Sequence, residues 1–193
     1  MVTYKVDISQ TSKVSELMKS LDADLTSKEF KQFIEKKCKK LLDDITREKI
    51  SSITEEEVGK YYSANKSEIT ANGIKLYNDS MVDLSNLSEE TLANYANGLS
   101  LAKIVEFGTG IVGANSEGAQ YASDWAYDVN GHGDKGWFYE KNGMIHWSNG
   151  IEGRLVFHTL QLKIKENINS WINEYISKYA AKKAAVKAAV KML

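Results

Sequence analysis

The segment Val105-Glu106-Phe107-Gly108-Thr109-Gly110 constrains the fold of this chain more than any other. A short apolar run ends in an acidic–aromatic pair and then in Gly-Thr-Gly. Such a run reads as a strand that leaves a buried layer and turns sharply where glycine relieves the backbone. Glu106 lies beside that turn, where a general acid could sit. Acid–base catalysis needs a second positioned group, and the sequence nominates none. A salt bridge, or a contact to a neighbouring subunit, is the expected role of Glu106.

Around this segment the hydrophobic periodicity switches several times. Val2, Tyr4, Val6 and Ile8 alternate with polar residues, the pattern of a half-buried strand. Val14, Leu17, Met18, Leu21 and Leu25 then recur at helical spacing. After a break near residues 24–27, Phe30, Phe33, Ile34, Cys38, Leu41, Leu42 and Ile45 predict a long helix to about Lys49. Thr26 and Glu29 stand three apart, as in a capping box. Thr54 followed by three glutamates predicts a short helix through Val58, Tyr61 and Tyr62. Asn72-Gly73 marks a turn, and residues 74–84 alternate as a strand. Ser88-Glu89-Glu90 opens another helix, carrying Leu92, Tyr95 and Leu99.

The second half is glycine-rich and aromatic. Residues 108–136 read as a long loop or extended hairpin, interrupted by Tyr121, Trp125 and Tyr127. Trp137-Phe138-Tyr139 and Met144-Ile145-His146-Trp147 flank Asn142-Gly143, which predicts a β-hairpin. After Gly150 and Gly153 a long helix follows, with Leu155, Leu160, Leu162, Ile164, Ile168, Trp171, Ile172, Tyr175 and Ile176 as its apolar positions. It continues into a tail of alanine and lysine, both strong helix formers. The expected organisation is one α+β domain over residues 1–177, a small antiparallel sheet packed by long N-terminal and C-terminal helices. A helical extension over 178–193 completes the chain.

Composition narrows the chemistry. The chain has 193 residues, enough for one domain with a real core. Its net charge of -1 excludes a general polyanion binder. The tail is the exception: from Lys178 onward it carries lysines and no acid, so Lys182, Lys183, Lys187 and Lys191 are candidates for contact with DNA or a partner. Cys38 is the single cysteine, which rules out an internal disulfide and reads as a half-buried free thiol. No stretch approaches the roughly 18 apolar residues of a membrane span. No signal segment is expected either, so the protein is expected to be made in a cytoplasm. Asn65, Asn78 and Asn86 head chance Asn-X-Ser/Thr sequons.

No motif specifies catalysis or a cofactor. Gly131-His132-Gly133-Asp134-Lys135-Gly136 matches a dinucleotide fingerprint by letter, but an aromatic strand follows where a helix is required. His132, His146 and His158 share no helical spacing and no cysteine cluster, so no metal site is expected. Asp124, Asp128 and Asp134 do not fit a calcium loop. The aromatic cluster of Trp125, Tyr127, Trp137, Phe138, Tyr139 and Trp147 could stack sugars, but aromatic strand pairs more often build a sheet core or a subunit interface.

Taken in order, four features resemble one family. They are Val105 to Gly110, Gly136-Trp137-Phe138-Tyr139 with Asn142-Gly143, the stretch from Gly150 to Phe157, and the long C-terminal helix. Together they look like the neck or tail-completion proteins of long-tailed double-stranded DNA phages. The likeness covers roughly the C-terminal half, and Val-Glu-Phe-Gly-Thr-Gly is its most specific part. The family commonly carries prolines before the last helix, whereas this chain has none. The resemblance implies a non-enzymatic virion protein without cofactors. It implies a homo-oligomeric ring, sixfold or twelvefold, at the head–tail junction. Partners would be the connector or head-closure protein, the tail terminator or tail tube, and possible DNA in the channel, with no membrane. Val105 to Gly110, Trp125, Tyr127, Gly136 to Tyr139, Gly143, Trp147, Gly150 and Phe157 would then lie at subunit interfaces. A terminator or collar of a contractile tail or tail-like bacteriocin is the near alternative. A cell-wall hydrolase using Glu106, or a carbohydrate-binding module using the tryptophans, are those of another class.

Overall fold

The computed structural model describes residues 1–8, 27–50, 55–82, 99–122, 125–127, 136–141 and 143–190. In chain order the elements are β1 (Val2–Asp7), α1 (Lys28–Ile50), α2 (Glu55–Ser63), β2 (Asn65–Ile69) and β3 (Gly73–Asn78). Then come α3 (Leu101–Phe107), β4 (Gly108–Thr109), α4 (Gly110–Ala114) and a 3-10 turn at Glu117–Tyr121. The hairpin strands β5 (Trp137–Lys141) and β6 (Met144–Ser148) follow, then β7 (Ile151–Glu152) and α5 (Val156–Val190). The fold is α+β, as expected. The helices expected over 14–25 and after Ser88 lie outside the described residues.

A three-stranded antiparallel sheet in the order β1-β3-β2 forms one layer. Its central strand buries Ile74, Leu76 and Asn78, and β1 adds Val6. The other layer is helical. Helix α1 starts where the Ser27 hydroxyl accepts the Phe30 N–H at 3.1 Å, and it turns Phe30, Ile34, Cys38, Leu42 and Ile45 inward. That spacing of three and four keeps one stripe facing the core. Helix α5 lies antiparallel to α1. Lys163 is 3.7 Å from Glu48, Lys37 is 2.7 Å from Glu174, and Lys182 is 4.0 Å from Glu29. Its Leu160, Ile164, Ile172 and Ile176 are buried, and Tyr175 meets Phe30 edge-on at 5.0 Å. Each such side chain contributes about 1.5–3 kcal/mol when fully buried. Beyond Lys182 the helix continues for about two turns past the start of α1.

A buried polar chain joins the layers. The Thr46 hydroxyl donates to the Leu42 carbonyl and accepts from the Asn65 amide at 2.9 Å. The Asn78 amide donates to Asn65 Oδ1 and to the Tyr61 carbonyl, both at 2.8 Å. Asn65 and Asn78 are 5% and 0% exposed, so these two sequons face the interior.

Several expectations need correction. Val105 to Phe107 is the end of a helix, not a strand. Ser100 caps α3 by accepting the Lys103 N–H at 3.3 Å. The helix puts Ala102, Val105 and Glu106 on one buried face. An apolar run this short fits either period, and burial across two helical turns decided it. The strand expected over 74–84 stops at Asn78, with Met81 making a single bridge to Ser100. The stretch 108–136 is not one loop, because β4, α4 and the 3-10 turn occupy its first part. Strand β2 was not foreseen: Asn-Lys-Ser-Glu-Ile lies at a sheet edge and needs no apolar alternation. Leu155 precedes α5 with φ 52° and is not a helical position.

Candidate functional site

The conspicuous sequence motif forms a joint between helices. As α3 ends, the Val105 carbonyl accepts the Arg154 N–H at 2.7 Å and the Glu106 carbonyl accepts the Leu155 N–H at 3.1 Å. The Glu106 side chain then reaches the start of α5. Oε2 accepts the Phe157 N–H at 2.8 Å, and Oε1 accepts the His158 N–H at 2.9 Å. A helix N-terminus leaves its first N–H groups without intrahelical partners and carries partial positive charge, so a carboxylate satisfies both needs.

Glu106 is 2% exposed. Burial pushes its pKa above the ordinary carboxylate value, while the N–H groups of Val156, Phe157 and His158 and the charge of Lys49 oppose that rise. Neither of the expected roles holds. Glu106 is in no salt bridge among the described residues, and its carboxylate is enclosed within its own subunit. A hydrolase would need that carboxyl to reach substrate, and it is buried.

The rest of the motif closes the same joint. Strand β4 pairs with β7, Gly108 with Glu152 and Thr109 with Ile151. Gly150, at φ 98°, lies so close that a Cβ there would be 1.9 Å from the Thr109 carbonyl oxygen. The Trp125 indole donates to the Gly108 carbonyl at 2.8 Å, and the Tyr127 carbonyl accepts the Gly110 N–H at 2.8 Å. Val105, Glu106, Thr109 and Phe157 are thus buried inside the subunit, along with Gly108 and Gly110. Phe107, Trp125, Tyr127 and Gly136 are half-buried.

The other part of the motif set faces outward. Strands β5 and β6 pair only with each other among the described strands, turning at Gly143. Phe138 stands opposite Trp147, their rings edge-on with centroids 4.5 Å apart. Phe138 is 69% exposed, Trp147 50% and Ile145, two residues along the same face, 76%. An isolated two-stranded hairpin is marginal in water, and natural strand edges are guarded against pairing with other chains. Trp137 and Tyr139 occupy strand positions in β5. The hairpin was expected; of the two roles left open for its aromatic residues, sheet core or subunit interface, the exposure of Phe138 and Trp147 does not fit a core.

Of the tail lysines, Lys182 approaches Glu29 and Lys187 is exposed, while Lys183 is half-buried. Lys191, His132, the aspartates at 124, 128 and 134, and the glycine-rich 131–135 stretch lie outside the described residues. Among the described residues no group of three or more His, Cys, Asp and Glu is placed to hold a metal ion. Burial pushes the Cys38 thiol up to about 12, so it stays protonated and unreactive. No helix among the described residues is long and apolar enough to cross a membrane. Two contacts carried no sequence signal: the Tyr121 ring stacked on His158 at 3.9 Å, and the Thr46–Asn65–Asn78 chain. Glu106 did carry one, since Ala102, Val105 and Glu106 fall at i, i+3 and i+4.

The molecule is therefore an α+β body of two packed layers with an internally saturated joint and a projecting aromatic hairpin. Compared with protein-family models, curated proteins and solved structures, the chain matches none.

Proposed function

We propose that this chain is a structural subunit of a phage head–tail junction, a neck or tail-completion protein that assembles with copies of itself into a ring. It docks there on the connector or head-closure protein and on the tail terminator or tail tube. One observation carries the reading. Among the described residues, eight of the twelve exposed large hydrophobic side chains fall between Ile111 and Ile151. Their concentration in the stretch that also carries the family resemblance supports a surface built to be covered. A ring needs two different surfaces that meet head to tail and close. The hairpin face of Phe138, Ile145 and Trp147 supplies one of them.

The test is particle mass in solution, followed by imaging of phage lacking the gene. The expected results are a closed oligomer, and heads and tails that form but stay unjoined. A chain that remains monomeric at high concentration, with normal virions in its absence, would overturn the proposal. Tryptophan fluorescence that responds to glycans would move the hairpin to carbohydrate binding instead.

A further inference from the structure

A cavity of about 210 Å³ lies on a different part of the molecule, where α3, β1 and the 3-10 turn meet. Phe107, Tyr121 and Trp125 wall it, with Val2 and Ala122 between them. Lys103 is the charged side chain among the described residues that line it, and Met1, whose terminal ammonium donates to Ser100 Oγ at 3.2 Å, adds a second positive group. Each wall is held in place. Lys103 and Phe107 stand at i and i+4 on the face of α3 opposite buried Ala102, Val105 and Glu106. The Trp125 indole is fixed to the Gly108 carbonyl, and Tyr121 is stacked on His158. The site is a small, half-open concavity of three rings with polar groups beside them, suited to a small ligand.

The sign of the charge decides what fits. Aromatic cages usually receive cations. Here the Lys103 ammonium already stands over the Trp125 ring, 5.9 Å from its centroid, so an incoming cation would meet like charge. No carboxylate among the described residues is in an ion pair with Lys103. We infer that this cavity binds a carboxylate carried on a flat apolar group, the rings taking the flat body and Lys103 the anion. The inference stands apart from the ring proposal, since it concerns another surface and holds for a monomer as well.

The ligand chemistry is shared by free aromatic acids and by a peptide with an acidic residue beside an aromatic one. Ligand-observed NMR on the full chain tests it with phenylacetate, benzyl alcohol and benzylamine, which differ in charge at similar size. Phenylacetate is expected to bind at least about tenfold more tightly than either, a preference worth about 1.4 kcal/mol. Lys103→Gln is expected to cut that preference by at least about threefold, the Met1 ammonium remaining, and Lys103→Arg to keep most of it, with unchanged circular dichroism in both. A blocked Phe-Asp dipeptide separates the sources: tighter binding than phenylacetate assigns the pocket to a protein segment, weaker binding to a free acid. Equal binding of the three probes, a preference undiminished by Lys103→Gln, or no binding at millimolar concentration overturns the inference.

Discussion

The joint at Glu106 and the hairpin at Phe138 are built from the same residue types and end in opposite states. Both contain aromatic and β-branched side chains, and both turn on positive-φ glycines. In the joint, Val105 and Phe157 are 3% and 4% exposed, and four backbone N–H groups from Arg154 to His158 find acceptors on Val105 and Glu106. In the hairpin, Phe138 and Trp147 are more than half-way to full exposure or at it, at 69% and 50%. The difference, among the described residues, is whether a second layer is present. The joint is pressed between α3, β7 and α5, whereas the hairpin strands pair only with each other among the described strands. Apolar surface with no layer of its own is a place where another molecule can supply one.

Substitutions of decreasing severity test that contrast. The largest loss is expected deep in the body. Phe30→Ala removes a ring that is 0% exposed and packed on Tyr175, and should cost about 3–5 kcal/mol in urea unfolding. A loss below about 1 kcal/mol there would mean that the α1–α5 core is much looser than its burial indicates.

Next comes a matched pair of glycines. Gly150→Ala drives a methyl into the Thr109 carbonyl and should cost roughly 3 kcal/mol or more. Gly143, at φ 75° with nothing within 4 Å of an added Cβ, should lose only about 1–2 kcal/mol on the same change. Equal losses at both sites would erase the distinction between a packed joint and an open turn.

Glu106→Ala leaves the Phe157 and His158 N–H groups buried without acceptors and should cost about 2–3 kcal/mol. The pH dependence has a definite sign. Because burial, the largest influence, raises the folded-state pKa of Glu106, its contribution to stability is fully present below the unfolded-state pKa. It is lost as pH rises through the folded value. The stability of the native chain relative to Glu106→Gln should therefore fall from acid toward neutral pH. Urea titrations at several pH values that show the gap widening instead would place the N–H groups, rather than burial, in control of this carboxyl.

The smallest effect on stability is expected in the hairpin. Changing Phe138 and Trp147 together to serine should alter unfolding by no more than about 0.5 kcal/mol per site. The same double variant should lower the particle mass. Oligomers that persist unchanged would remove the hairpin from the assembly surface.

Much of the architecture was legible because it rests on local periodicity. The stripe Phe30, Ile34, Cys38, Leu42 and Ile45 predicts α1, and the alternation from Val2 to Ile8 predicts β1, whatever lies around them. Asn142-Gly143 likewise marks the hairpin turn. The run from Ile104 to Phe107 was misread because three apolar residues around one glutamate are too short a pattern to separate the two periods. Strand β2 was missed because a polar edge strand carries no alternation to read.

The sequence alone determined which segments alternate, which turn, which helix is long and where the aromatic residues cluster. These properties depend only on neighbours a few residues apart. Tertiary structure decided what Glu106 does and which aromatic residues remain in water. The partners of Glu106 stand 51 and 52 residues away, and burial depends on layers brought together from both ends of the chain.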